Sequence, residues 1–144
     1  MRKQPLGAQF IDVKKIEYPQ FERLFWKQEK AAFKEAINKN ITPHLVWTEI
    51  MTFIKGAPFS YQNEHCHLTK KQYLEYVGEH KSFVTREQKS LVWEILQRYE
   101  EWKTFENYFD MMDVANFLIK QILAVLFFFL RFLIRISKEK NRFQ

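Results

Sequence analysis

From Tyr18 to Asn38 the chain reads YPQFERLFWKQEKAAFKEAIN. Phe21, Leu24, Phe25, Phe33 and Ile37 recur near one stripe of a 3.6-residue period, with charges opposite, and no Gly or Pro follows Pro19. The pattern predicts one continuous helix over this span, with Pro19 in its first turn. In NITPHLVWTEIMTFIKGAP, Val46, Trp47, Ile50, Phe53 and Ile54 repeat at spacings of three and four. Thr42 is placed to cap this second helix and Pro43 to begin it. Lys55 suits its negative end, and Gly56 is expected to close it in the left-handed conformation.

Ala57 to Leu68 carries no helical period and reads as a loop. Thr69 with Gln72 forms a capping-box pattern ahead of a short helix that Gly78 should stop. Thr85 with Gln88 repeats the pattern before a longer helix, whose Leu91, Val92, Ile95, Leu96, Tyr99 and Trp102 share a stripe. Asp110 with Asp113 is placed to open a last helix at its positive dipole end. Trp26, Trp47, Trp93 and Trp102 each fall in or beside an apolar stripe, so core packing is expected for all four. The last helix differs in kind. Residues 117–136 include sixteen apolar side chains, broken only by Lys120, Gln121, Arg131 and Arg135, and the nine residues Ile122 to Leu130 are apolar on every face.

Composition supports the helical reading. The 144 residues include only 3 Gly and 4 Pro, too few turn-formers for an all-β sandwich, but 15 Phe. The expected fold is therefore all-α: about five helices around an aromatic-rich core, with a long apolar C-terminal helix. The net charge of +6 is uneven, with +4 in residues 1–40, −3 in 41–116 and +4 in 131–144. No basic stripe interleaved with aromatics marks a nucleic-acid face. MRKQPLGAQF has no apolar run behind its basic residues and does not read as a signal peptide. Cys66, the single cysteine, excludes an internal disulfide framework.

Little in the sequence suggests catalysis. Gly7, Gly56 and Gly78 start no phosphate-binding loop, and no GxGxxG, HExxH or GxSxG is present. Glu64-His65-Cys66-His67 gathers four metal-ligating residue types, but a closed zinc site draws pairs from two separated segments. Neither His44 nor His80 supplies a second half-motif, so a solvated loop is expected there. The carboxylate pairs Glu100/Glu101 and Asp110/Asp113 read as a solvated helix face and a helix cap.

The order of these elements carries a resemblance. ITPHLVWTEIMTFIKG, then LTKKQYLEYVG, REQKSLVWEILQRYEEWK and NYFDMMDVANFLI resemble one segment of UvrD-like (superfamily 1) helicase proteins. The similarity is to the very large members that also carry tetratricopeptide and ankyrin repeats. The elements concerned are Leu45-Val46-Trp47 with Glu49, Ile50 and Phe53 to Gly56; Leu68-Thr69 with Tyr73 and Gly78; Tyr99; and Phe109-Asp110 with Asp113. YPQFERLFWKQ resembles an upstream helix of the same segment. The similarity spans about residues 18–121, leaving 1–17 as an N-terminal extension and 122–144 as an apolar helix with a basic tail.

The resemblance implies the helical insertion that lies between the phosphate loop and the Walker B strand of an ATP-dependent nucleic-acid motor, with nucleic acid as the parent family's partner. The phosphate loop is missing from this chain, and LAVLFFFLRFLIRI stands where the approach to Walker B would run. No catalytic, cofactor-binding or metal-binding residue is thereby carried over, and Asp110 and Asp113 should have only local capping to do. The implied function is a non-catalytic, intracellular accessory region. The alternatives are a single-span membrane protein with a helical cytosolic domain, its 117–136 helix contacting the bilayer, and a helical scaffold for an unspecified protein partner.

Overall fold

The structure, a computed structural model, describes residues 12–79 and 82–142. The expected basic start of the chain and His80 lie outside those residues. Among them are six helices and almost no strand, and the all-α expectation holds. Helix α1 (18–29) is Tyr18–Gln20, a π-helical stretch Phe21–Trp26 and Lys27–Glu29; α2 is Lys34–Asn38. Helix α3 (43–54) joins Pro43–Thr48 to a second π-helical stretch, Glu49–Ile54. Then come α4 (Lys70–Glu79), α5 (Arg86–Glu106) and α6 (Met111–Arg142).

The single helix expected over 18–38 is in fact two. Backbone bonds from Ala32 N to Glu29 O and from Phe33 N to Lys30 O close tight turns where no Gly or Pro stands. The break folds Phe33 back so that its ring lies 5.7 Å from Phe25 and 5.0 Å from Trp26. Burying that ring compensates for an interruption that local propensity does not ask for. Helix α2 then ends on Asn40 at φ 59°, with Ile41 N donating to Ala36 O, a left-handed closure that buries Ile41.

The expected caps form. Thr42 Oγ1 accepts from Leu45 N, and Thr69/Gln72 and Thr85/Gln88 each exchange two reciprocal bonds. Two punctuation readings are corrected. Helix α4 runs through Gly78 to Glu79. Gly56 is not left-handed; it is needed for space, because a Cβ there would meet the Met51 carbonyl oxygen at 2.3 Å. The left-handed closure belongs to Asn107, φ 58°, at the end of α5.

Residues 14–16 are more than an extension. Strand β1 (Lys14–Lys15) pairs in parallel with β2 (Tyr108–Phe109), and Ile16 is buried. The core comprises Phe21, Phe25, Val46, Ile50, Ile54, Tyr73, Val92, Leu96 and Tyr99, all fully enclosed, with neighbouring side chains. Trp26 belongs to it. Trp47, Trp93 and Trp102 pack half-buried against its edge, so all four tryptophans take part in core packing as expected, with Trp26 alone enclosed.

Helix α6 docks only through its first turns. From Phe117 to Ile136 nearly every large apolar side chain is exposed. The 30 residues Met111–Lys140 are long and apolar enough to cross a membrane, and none of their most apolar stretch is buried.

Trp47 packs on Tyr18, Phe21 and Tyr99 with one edge in water. Trp47→Ala should therefore cost roughly 2 kcal/mol, less than the ~3–5 of a fully buried large aromatic. Thermal or urea unfolding of the variant measures it; a loss at the top of that range would mean that Trp47 is enclosed.

A buried charge cluster as candidate functional site

Lys55 follows the π-helical end of α3, where its own N–H reaches back five residues to Ile50 O. That turn directs the side chain inward, and it is completely buried. Lys103 projects from the last turn of α5 and Asp110 begins α6; both are buried as well. The Lys55 ammonium donates to Asp110 Oδ2 at 2.6 Å, to Glu100 Oε1 at 3.0 Å and to Asp113 Oδ1. Lys103 Nζ reaches Asp110 Oδ2 at 2.7 Å, Glu100 Oε2 at 3.2 Å and Asp113 Oδ2. Tyr99 Oη donates to Asp110 Oδ2 at 3.2 Å, and the Lys103 ammonium sits 5.0 Å over the Tyr99 ring.

The other Asp110 oxygen, Oδ1, accepts from Met112 N at 2.9 Å and Asp113 N at 3.0 Å, and Asp113 Oδ2 accepts from Asp110 N. Asp110 is thus the expected N-cap, with Asp113 reciprocating. The expectation that these carboxylates do only local work is wrong. One Asp110 oxygen caps α6, and the other takes three donors from α3 and α5.

Burial alone would raise the Asp110 carboxyl, but the Lys55 and Lys103 charges outweigh it and hold its pKa down at about 2. Burial likewise works against the Lys55 ammonium, and Asp110, Glu100 and Asp113 together push its pKa well above the usual value. The Tyr99 hydroxyl is pushed up by burial and by the same carboxylates, so it stays a proton donor.

A polar stripe continues along α6. Asn116 Nδ2 donates to the backbone oxygens of Lys55 at 2.9 Å and Cys66 at 2.8 Å, and Lys120 Nζ donates to Asn63 O at 3.1 Å. A second buried carboxylate, Glu49 at the start of the same π-helical stretch, accepts from Tyr73 Oη at 2.9 Å, Ser82 Oγ at 2.9 Å and Phe83 N at 3.1 Å. Lys89 lies buried nearby, 5.8 Å over the Tyr73 ring, with its pKa lowered by burial.

Glu100, Asp110 and Asp113 can bring one ligand oxygen each within 4.8 Å of one another, the spacing of a cation site. Two ammonium groups already occupy that position. A divalent ion would have to displace them and leave two buried lysines unpaired. Glu101, the expected partner of Glu100, is exposed and stands apart from the cluster.

Glu64-His65-Cys66-His67 forms no comparable group. His67 is buried, holds Leu68 O through Nδ1 at 2.7 Å and packs on Trp93; burial lowers its pKa. Cys66 adopts φ 56° and uses its carbonyl to hold Asn116. Glu64 and His65 are exposed, as a solvated loop predicts, and only the Cys66–His67 end is anchored on the fold. Beside it an open groove of about 540 Å³ is lined by His65, His67, Gln97, Glu100, Glu101, Thr104 and Phe105.

These features define a class, an all-α module closed by a buried charge cluster and carrying an exposed apolar helix. Comparison with known proteins finds no matching family model, no matching curated protein and no matching solved structure.

Asp110→Ala should cost about 3–5 kcal/mol, because it removes the α6 cap and the buried oxygen shared by Lys55, Lys103 and Tyr99, leaving only the less buried Glu100 and Asp113 against two buried ammonium groups. Asp110→Asn should cost nearly as much, since an amide keeps the cap but not the charge. Millimolar Mg²⁺ should leave the wild-type melting temperature unchanged; a rise abolished in Asp110→Asn would indicate a metal site instead. Because the folded Asp110 pKa lies below its ordinary value of 3.8, its contribution is complete above that pH. It is lost as pH falls from 3.8 toward about 2, removing about 2 kcal/mol. Denaturant titrations from pH 5 to 2, compared with Asp110→Asn, measure this slope.

Proposed function

We propose that this chain is a non-catalytic helical accessory module of the UvrD-like helicase type, working inside the cell as part of a larger nucleic-acid motor. One observation supports the reading above the others. The motif positions scattered along the sequence that carry the resemblance converge in space. Lys55 of FIKG, Tyr99 of the long helix and Asp110 and Asp113 of the FD--D element meet in one cluster, and Glu49 and Tyr73 meet in the second. Segments separated by tens of residues therefore act as one packing unit, which is what an inserted subdomain requires. The same contacts engage the FD--D carboxylates with lysines, leaving them poorly suited to hold Mg²⁺.

Sequencing the full transcript that contains this reading frame tests the proposal. A phosphate-loop coding segment upstream and a DExxD segment downstream are expected, and a transcript lacking both would refute it. The purified chain should show no saturable ATP turnover, because the backbone amides, Lys and carboxylates that hold phosphate and Mg²⁺ in such motors are missing from it. Turnover that co-elutes with the protein on size exclusion would contradict a non-catalytic role.

A single-span membrane protein is the second reading, and it draws on the exposure of residues 117–136. It requires Arg131, about 16 Å along the helix from the docked Lys120, to lie within a hydrocarbon layer about 30 Å thick.

A further inference from the structure

We propose that the free part of α6 lies in the plane of an anionic lipid surface, holding the folded body on the water side. The inference rests on the geometry of α6 and is independent of the helicase reading.

Helix α6 docks by its polar face. Asp113, Asn116 and Lys120 make the contacts with the body. At 3.6 residues per turn, Arg131, Arg135, Lys138 and Arg142 fall in the same sector, about 100° wide, as those three. The opposite face carries Val125, Leu126, Phe129, Phe132, Leu133 and Ile136, between 48% and 67% exposed. The azimuth that packs on the protein is thus also the azimuth of the free basic side chains. One orientation suits the docked and basic positions together: apolar face down into the acyl boundary, arginines level with the headgroups, folded body above, with Phe127 and Ile134 on the basic azimuth and Lys140 opposite it.

The position of Arg131, not helix length, favours lying flat over spanning, because a span of about 30 Å would take it into the hydrocarbon. Ile122 to Leu130, apolar on every face, rises only about 13 Å, less than half the hydrocarbon thickness. These middle turns sink deepest, while Lys120 at one end is tied to Asn63 O and the basic cluster stands at the other. The sign of that cluster selects the lipid. Residues 131–142 carry five basic side chains against Glu139 alone, which complements phosphatidylserine-type headgroups and not a zwitterionic surface. A second copy of the chain packed on the apolar face would leave this positive end without a counter-charge.

The full chain is tested by flotation at low salt with phosphatidylcholine vesicles, alone or with roughly 30 mol% phosphatidylserine. Flotation with the anionic vesicles and little with the neutral ones is expected. The double variant Arg131→Glu, Arg135→Glu should lower the bound fraction by about tenfold or more. Both positions are exposed, so circular dichroism and melting temperature should match wild type. Alkaline carbonate should release the protein from membranes of expressing cells. Three results would overturn the proposal: equal binding to both vesicle types with no effect of the double variant, retention after carbonate, which marks a span, or a stable dimer that does not float.

Discussion

The contact on which the rest depends is the fully buried pair between Lys55 and Asp110. Moving two such charges out of water is costly, and mutual attraction repays it only when the remaining donors and acceptors are also satisfied. Here they are. Asp110 receives five hydrogen bonds, two from the first turn of its own helix and three from Lys55, Lys103 and Tyr99. Among the described residues, no buried side-chain nitrogen or oxygen is left without a partner. Such a network is demanding in geometry, and that demand sets the register of the elements that meet in it.

Its first consequence is the seating of α6. With Asp110 on Lys55, Asn116 comes to rest on the Lys55 and Cys66 carbonyls and Lys120 on Asn63. Directional bonds at four positions along one edge leave the helix a single rotation. An ordinary amphipathic helix docks through its apolar stripe; this one docks through its polar stripe and points its apolar side chains at the surroundings. The exposed phenylalanines beyond residue 117 thus follow from how Asp110 and Asn116 are held.

The second consequence concerns α3. Its π-helical stretch runs between two buried charges, Glu49 at its start and Lys55 just after its end. Glu49 ties α3 to Tyr73 of α4 and to the segment before α5, while Lys55 ties it to α5 and α6. The i→i−5 bond of Lys55 N departs from regular helical winding at the point where this charge enters the core, and short π segments often occur at such specialised positions.

What was legible in the sequence is what depends on near neighbours. Thr42, Thr69, Thr85 and Asp110 cap helices because a short side-chain oxygen reaches amides two or three residues on, whatever the tertiary fold, and the apolar stripe of α5 follows from a fixed period, which the π-helical stretches of α1 and α3 shift. The chain's own residues likewise determine that 117–136 is helical and apolar. Tertiary structure decided the remainder. The break at Lys30–Phe33 exists because Phe33 gains burial against Phe25 and Trp26, a contact no local rule anticipates. Gly56 is required by a close backbone approach rather than by a left-handed turn. Lys55 read as an ordinary helix-end cation and Asp110 as an ordinary cap, because their pairing spans 55 residues and a charge shows its partner only once the chain has folded.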